Sequence, residues 1–181
     1  MTTLYPPLIQ QELKDHHIFL DTNVFIYASK NESLVDFLLG PNNDANCAFT
    51  TIPSVLFEFT RGSNTAPEYT KRVEFLTSLV ESINPMSFLN NIADFHIVMS
   101  KINSKNKSYT DFLLAACLYQ YRQSQVALIT TDLGAFPPFF PRSHIVTVEH
   151  MNEVVNFGVF KFSPDAYAQA AAKTLEEVAK D

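Results

Sequence analysis

The chain has 181 residues, enough for one domain with a full core and short for two. Hydrophobic residues make up 46% and charged residues 18%, an ordinary globular balance, and the absence of any apolar run of about 18 residues argues against a membrane span. A formal charge of −6 and a pI near 5.3 argue mildly against sequence-independent nucleic-acid binding through a basic surface, although a cluster of metal-binding acids would itself lower the net charge.

Residues 1–14 are polar, carry Pro6-Pro7 and read as an extended lead without the pattern of a secretory signal. His16-His17 read as a surface pair. The apolar run Ile18-Phe19-Leu20 stops at Asp21, and the chain turns apolar again from Val24, which predicts a buried strand ending at Asp21 and a helix over 23–29. Glu32 to Leu39 reads as a second helical segment stopped by Gly40-Pro41, with a loop over 42–46. Cys47 to Thr51 is a second strand. A short helix is expected over 54–61, with Ser54 as its N-cap, Glu58 one turn in and Gly62 as its stop.

Tyr69 to Ile83 and Phe88 to Ile102 carry apolar residues at helical spacing, and His96 falls on the second stripe as a core histidine. Asn103 to Ser108 is a polar, basic loop. Thr110 to Arg122 is apolar nearly all round and so predicts a buried helix, capped by Ser108 or Thr110 with Asp111 in its first turn. Val126 to Thr130 is a third strand, followed by Thr131-Asp132-Leu133-Gly134 and a rigid aromatic, proline-rich loop over 136–141. His144 to Val148 is a fourth strand. Val154 to Phe162 reads as a fifth strand or as a helix-to-strand mixture, and Pro164 starts a final helix whose Ala-rich face is either a dimer contact or part of the core. Cys47 and Cys117 read as buried free thiols, consistent with a reducing cytoplasm.

Strands that alternate with helices, each a short continuous apolar run, predict an α/β fold with a parallel sheet covered on both faces. Right-handed crossovers then bring the carboxyl end of every strand to one edge. The expected domain spans 1–150 with a core of about 17–148, and 151–181 form a C-terminal extension packed on it.

Four acids from four segments should meet at that edge: Asp21 and Asp132 directly after strands, Glu58 and Asp111 in the first turns of helices. At an effective dielectric of about 20 and a separation of about 5 Å, each carboxylate pair repels by roughly 3 kcal/mol. Such a group takes up protons or binds a cation, and hard oxygen donors suit Mg²⁺ or Mn²⁺. Either ion would activate water and neutralise charge developing on a phosphoryl group; the residues leave open whether one or two are held. Basic residues flank the acids: Lys101, Lys105 and Lys107 before Asp111, and Arg61, Lys71 and Arg72 after Glu58; Arg61, Lys105 and Lys107 are the candidate substrate contacts.

The stretches Leu20-Asp21-Thr22-Asn23-Val24-Phe25-Ile26-Tyr27-Ala28, Thr51-Ile52-Pro53-Ser54-Val55-Leu56-Phe57-Glu58-Phe59, Thr110-Asp111-Phe112-Leu113-Leu114-Ala115-Ala116 and Leu128-Ile129-Thr130-Thr131-Asp132 together resemble a PIN-domain nuclease, in the family's order. The resemblance implies a three-layer αβα sandwich and a Mg²⁺- or Mn²⁺-dependent endoribonuclease leaving a 5′-phosphate, most like the toxins of bacterial toxin–antitoxin pairs. It implies that Asp21, Glu58, Asp111 and Asp132 are the catalytic, metal-holding quartet, with Asn23 orienting the first acid beside Thr22 and Thr130 supplying a hydroxyl near the metal. The implied partners are RNA, an antitoxin protein and a second copy of the chain. Two departures stand out: no further acid follows Asp132 in Leu133-Gly134-Ala135-Phe136, and the chain continues past the usual core. A catalytically silent PIN-like scaffold for RNA or protein is the alternative. Receiver and haloacid-dehalogenase-type domains fit less well, because each wants a further acid near the first and the chain offers Asn23.

Overall fold

A computed structural model describes residues 3–4, 13–30, 34–35, 47–102, 108–150 and 153–178. In chain order its elements are β1 (Thr3–Leu4), β2 (His17–Leu20), α1 (Thr22–Ala28), β3 (Ala48–Thr51), α2 (Pro53–Thr60), α3 (Ala66–Leu79), β4 (Glu81–Ser82), α4 (Ala93–Ile102), α5 (Tyr109–Gln120), β5 (Val126–Thr130), β6 (Arg142–His150), β7 (Glu153–Phe160) and α6 (Pro164–Val178). Short 3₁₀ turns at Pro85–Ser87 and Leu89–Asn91 lead into α4. Of the expected helix over 32–39, Leu34 and Val35 are helical and Leu34 is buried; its other residues, Gly40-Pro41 and the loop over 42–46 lie outside the described residues.

The sheet has seven strands in the order β1-β6-β7-β5-β2-β3-β4. One half is parallel: β2 pairs with both β5 and β3, and β3 with β4. The other half corrects the expectation of a parallel sheet. β7 runs antiparallel to β5 and to β6, and β1 antiparallel to β6, so the sheet is mixed. The physical reason is connection length. Only two residues separate β6 from β7, and a parallel return needs a crossover of about a dozen.

β7 also settles the ambiguous stretch after 150 as a strand, and it lies between β5 and β6. Residues 153–160 are therefore built into the sheet. One helical group is formed by α1 on α2 and α2 on α3; another by α4 on α5 and α4 on α6. With the sheet they are compatible with a three-layer α/β arrangement. Tyr167, Ala170 and Ala171 of α6 pack against the core, which favours the core reading of that face.

Sequence accounts for most of the local structure. All five β5 residues are buried, as a central strand requires, and α5 buries Leu113 to Leu118 in succession. The aromatic loop supplies core: Phe139 and Phe140 are buried and meet Phe95 edge-on. Several boundaries move. α2 starts at Pro53, whose fixed φ suits a first helical position, so Ser54 is not the cap; Ile52 holds that place without a side-chain bond. α3 starts earlier than expected, where Thr65 accepts a hydrogen bond from the Glu68 amide, and ends before β4. His96 corrects the core assignment: it is exposed, its ring edge-on to Phe112. Among the described residues no helix is long and apolar enough to cross a membrane.

Candidate active site

Asp21 follows β2 directly and caps α1, as a carboxylate before a helix does. Its Oδ1 accepts the Thr22 amide at 2.6 Å and its Oδ2 accepts the Thr130 hydroxyl at 2.7 Å. Only 5% of the residue is exposed. Burial pushes the carboxyl up from 3.8 to about 6; the two hydrogen bonds pull it back in part, and the nearby charges of Asp111 and Glu58 push it up again.

Glu58 is the sixth of the eight residues of α2 and so lies in its last turn, not in the first turn where the sequence reading put it. A negative side chain there gains nothing from the helix dipole. It is held instead by two hydroxyls from other segments: Thr22 donates to Oε2 at 2.7 Å, and Thr110 donates to Oε1 in a short bond. Thr22 thus ties Asp21, through its amide, to Glu58, through its hydroxyl.

Asp111 stands in the first turn of α5, where the capping box forms. Ser108 accepts the Asp111 amide, and Asp111 Oδ2 accepts the Ser108 amide at 3.0 Å. Asp132 is exposed after β5; its amide donates to the Thr130 hydroxyl at 3.1 Å and its Oδ1 accepts the Gly134 amide at 3.2 Å. Thr130 is consequently a two-way link, donating to Asp21 and accepting from the backbone of Asp132. At the neighbouring strand end, Thr51 donates to the Leu20 carbonyl at 3.0 Å and fixes β3 against β2 just before Asp21.

All four acids line one cleft of about 480 Å³, together with Thr22, Asn23, Ser108, Arg61 and Arg72. Two of the sequence expectations change. Asn23 lines the cleft but makes no hydrogen bond to Asp21; the Thr22 amide and Thr130 hydroxyl orient that acid. Lys105 and Lys107 lie outside the described residues, whereas Arg61 stands exposed at the cleft, its side chain without an ion pair among the described residues. Arg72 also lines the cleft, anchored by the Phe59 carbonyl at 2.8 Å and Glu68 at 2.7 Å. Thr110 and Arg72 were not singled out for the site from sequence. The hydroxyl of Thr110 looks like one more cap, and only the fold brings it against Glu58.

The donor set suits a hard divalent cation by type: four carboxylates, flanked by hydroxyls, open to water. Among the described residues, however, no three or more His, Cys, Asp or Glu side chains are gathered as a ready-made metal cage. Magnesium asks for less than a cage, since it keeps several waters and is commonly held by one or two carboxylates plus substrate phosphate. The residues fit an ion held in that way, with Asp21 as the most constrained donor. The thiols take no part: Cys117 is buried and its pKa is pushed up to about 12, and Cys47 donates to the Leu13 carbonyl at 2.8 Å. No match to the chain was found among protein-family models, curated proteins or solved structures.

Proposed function

We propose that this protein is a Mg²⁺- or Mn²⁺-dependent endoribonuclease with a PIN-type arrangement. The observation that carries this reading is the meeting of Asp21, Glu58, Asp111 and Asp132, from four separated segments, along one cleft at the carboxyl edge of the parallel strands. That edge is where open α/β sheets form ligand sites. A bound divalent ion would supply water activation and neutralise charge developing on the phosphodiester. Asp21 and Asp111 would hold the ion, and Asp132 and Glu58 would orient its waters.

The chain's own part is positioning. Thr130 fixes one oxygen of Asp21 and the Thr22 amide the other. The Thr22 and Thr110 hydroxyls each donate to one oxygen of Glu58 and hold the carboxylate in place. Arg61 at the rim offers a fork of donors that matches a phosphate of the substrate. A toxin role paired with an antitoxin rests on the sequence resemblance alone. A silent scaffold is the second reading, favoured by the absence of a ready-made three-donor cage among the described residues.

The deciding experiment is cleavage of single-stranded and structured RNA with Mg²⁺ or Mn²⁺, set beside Asp21→Asn and Asp111→Asn. We expect both variants to lose at least 100-fold in rate, on the order of a lost electrostatic contact in the transition state. Cleavage unaffected by either variant would sink the quartet. No cleavage by the native chain with either ion would favour the scaffold.

A further inference from the structure

A second cavity, of about 680 Å³, opens at the junction of α2 and α3. It falls within the range of volumes that hold small organic ligands. Its lining includes Leu56, Phe57, Arg61, Asn64, Thr65 and Tyr69. Two features separate it from an ordinary surface dent. Phe57 is 66% exposed and Tyr69 52% exposed, so two aromatic rings stand in water on one groove. The fold covers neither ring, so the apolar gain of burying them is left unrealised.

The second feature is continuity. Arg61 lines both this groove and the carboxylate cleft, so the two are adjoining parts of one surface. The groove's lining includes one charged side chain, that of Arg61, and no acid, in contrast with the cleft beside it. Exposed aromatic faces next to a lone guanidinium and several polar groups are the components with which proteins hold unpaired bases, the rings stacking on bases and the cation meeting the backbone. A protein partner would ask for a more apolar lining than one that carries Ser63, Asn64 and Thr65.

We propose that the groove is a base-stacking subsite for single-stranded RNA, with Phe57 and Tyr69 as stacking platforms and Arg61 bridging a backbone phosphate toward the cleft. The proposal rests on the ribonuclease reading and adds a substrate class to it: an unpaired segment flanking the bond at the acids. A duplex, with its bases stacked on one another, leaves these rings without a partner.

The test measures binding apart from cleavage, so that its failure and that of the nuclease reading are distinguishable. Fluorescence anisotropy of labelled ten-nucleotide oligoadenylate and oligouridylate is followed in EDTA, against a duplex of the same length. The native chain should bind the single strands in preference to the duplex. Phe57→Ala and Tyr69→Ala should each weaken that binding about 5- to 100-fold, the effect of removing one base-stacking ring. Phe57→Tyr and Tyr69→Phe should retain it, which separates stacking from general damage. An abasic nucleotide at the affected position should cost the native chain as much and the alanine variant little more, as expected for two halves of one contact. Unchanged affinity in both alanine variants overturns the proposal. So does a loss of self-association, read by light scattering, with RNA binding intact, because it would assign the rings to a second copy of the chain.

Discussion

At the residue scale, Asp21 carries an electrostatic cost that a cation would relieve. Its folded pKa of about 6 lies above the ordinary value of 3.8, so between these pH values the folded chain keeps a proton that the unfolded chain has released. Stability contributed by this group is therefore greatest below about 4, falls as pH rises towards 6 and remains lower above it, by about 3 kcal/mol in all. Asp21→Asn removes the ionisation. Urea unfolding in EDTA should show the variant more stable than the native chain at pH 8, with the gain vanishing near pH 4. Added Mn²⁺ should raise the melting temperature of the native chain and not of the variant, because only an ionised Asp21 offers the ion a charged donor. Equal pH profiles in the two proteins would refute the burial of a charged Asp21.

At the scale of elements, the site depends on how closely β7 approaches β5. Gly158 of β7 pairs with Thr130, the residue whose hydroxyl holds Asp21. A Cβ at Gly158 would lie 2.6 Å from Phe160 and 2.8 Å from Leu133, the neighbour of Asp132. Both are side-chain contacts, so the cost falls on displaced packing rather than on the backbone. Gly158→Ala should destabilise the fold by about 1–3 kcal/mol, as overpacking does, and should shift the loop that carries Asp132. Denaturant melts give the first quantity, and amide chemical shifts of Leu133 and Gly134 report the second. A neutral substitution with unmoved shifts would mean that the Phe160 ring simply turns aside.

At the scale of the whole molecule, the residues after 150 complete the sheet. Val155, Phe157, Val159 and Phe160 of β7 are buried. Removing four such side chains from the core forfeits about 6–12 kcal/mol, comparable with the net stability of a domain. It also bares the edges of β5 and β6. A chain truncated at residue 150 should therefore lack the near-ultraviolet circular dichroism of fixed aromatic packing. A truncated chain with native dispersion in its amide spectrum would show that β6 can pair with β5 directly.

Much of this was legible along the chain because it depends on near neighbours. The strand that ends at Asp21, the capping box of Ser108 and Asp111, and the buried run of α5 follow from spacing and from the few side chains that satisfy a helix end. The place of Asp21 at the carboxyl edge was legible too, because a strand followed by a helix puts its last residue there. What the chain could not show are contacts between segments far apart in sequence. Thr110 meets Glu58 across 52 positions and Thr130 meets Asp21 across 109, and no local pattern marks a hydroxyl for such a partner. The place of β7 between β5 and β6 is likewise a pairing of segments far apart in sequence, since β7 meets β5 across more than twenty residues. Local sequence determined that Asp21 would end a strand and cap a helix; only the tertiary structure decided which hydroxyls hold it and which charges face it, because burial and long-range pairing are properties of the assembled chain.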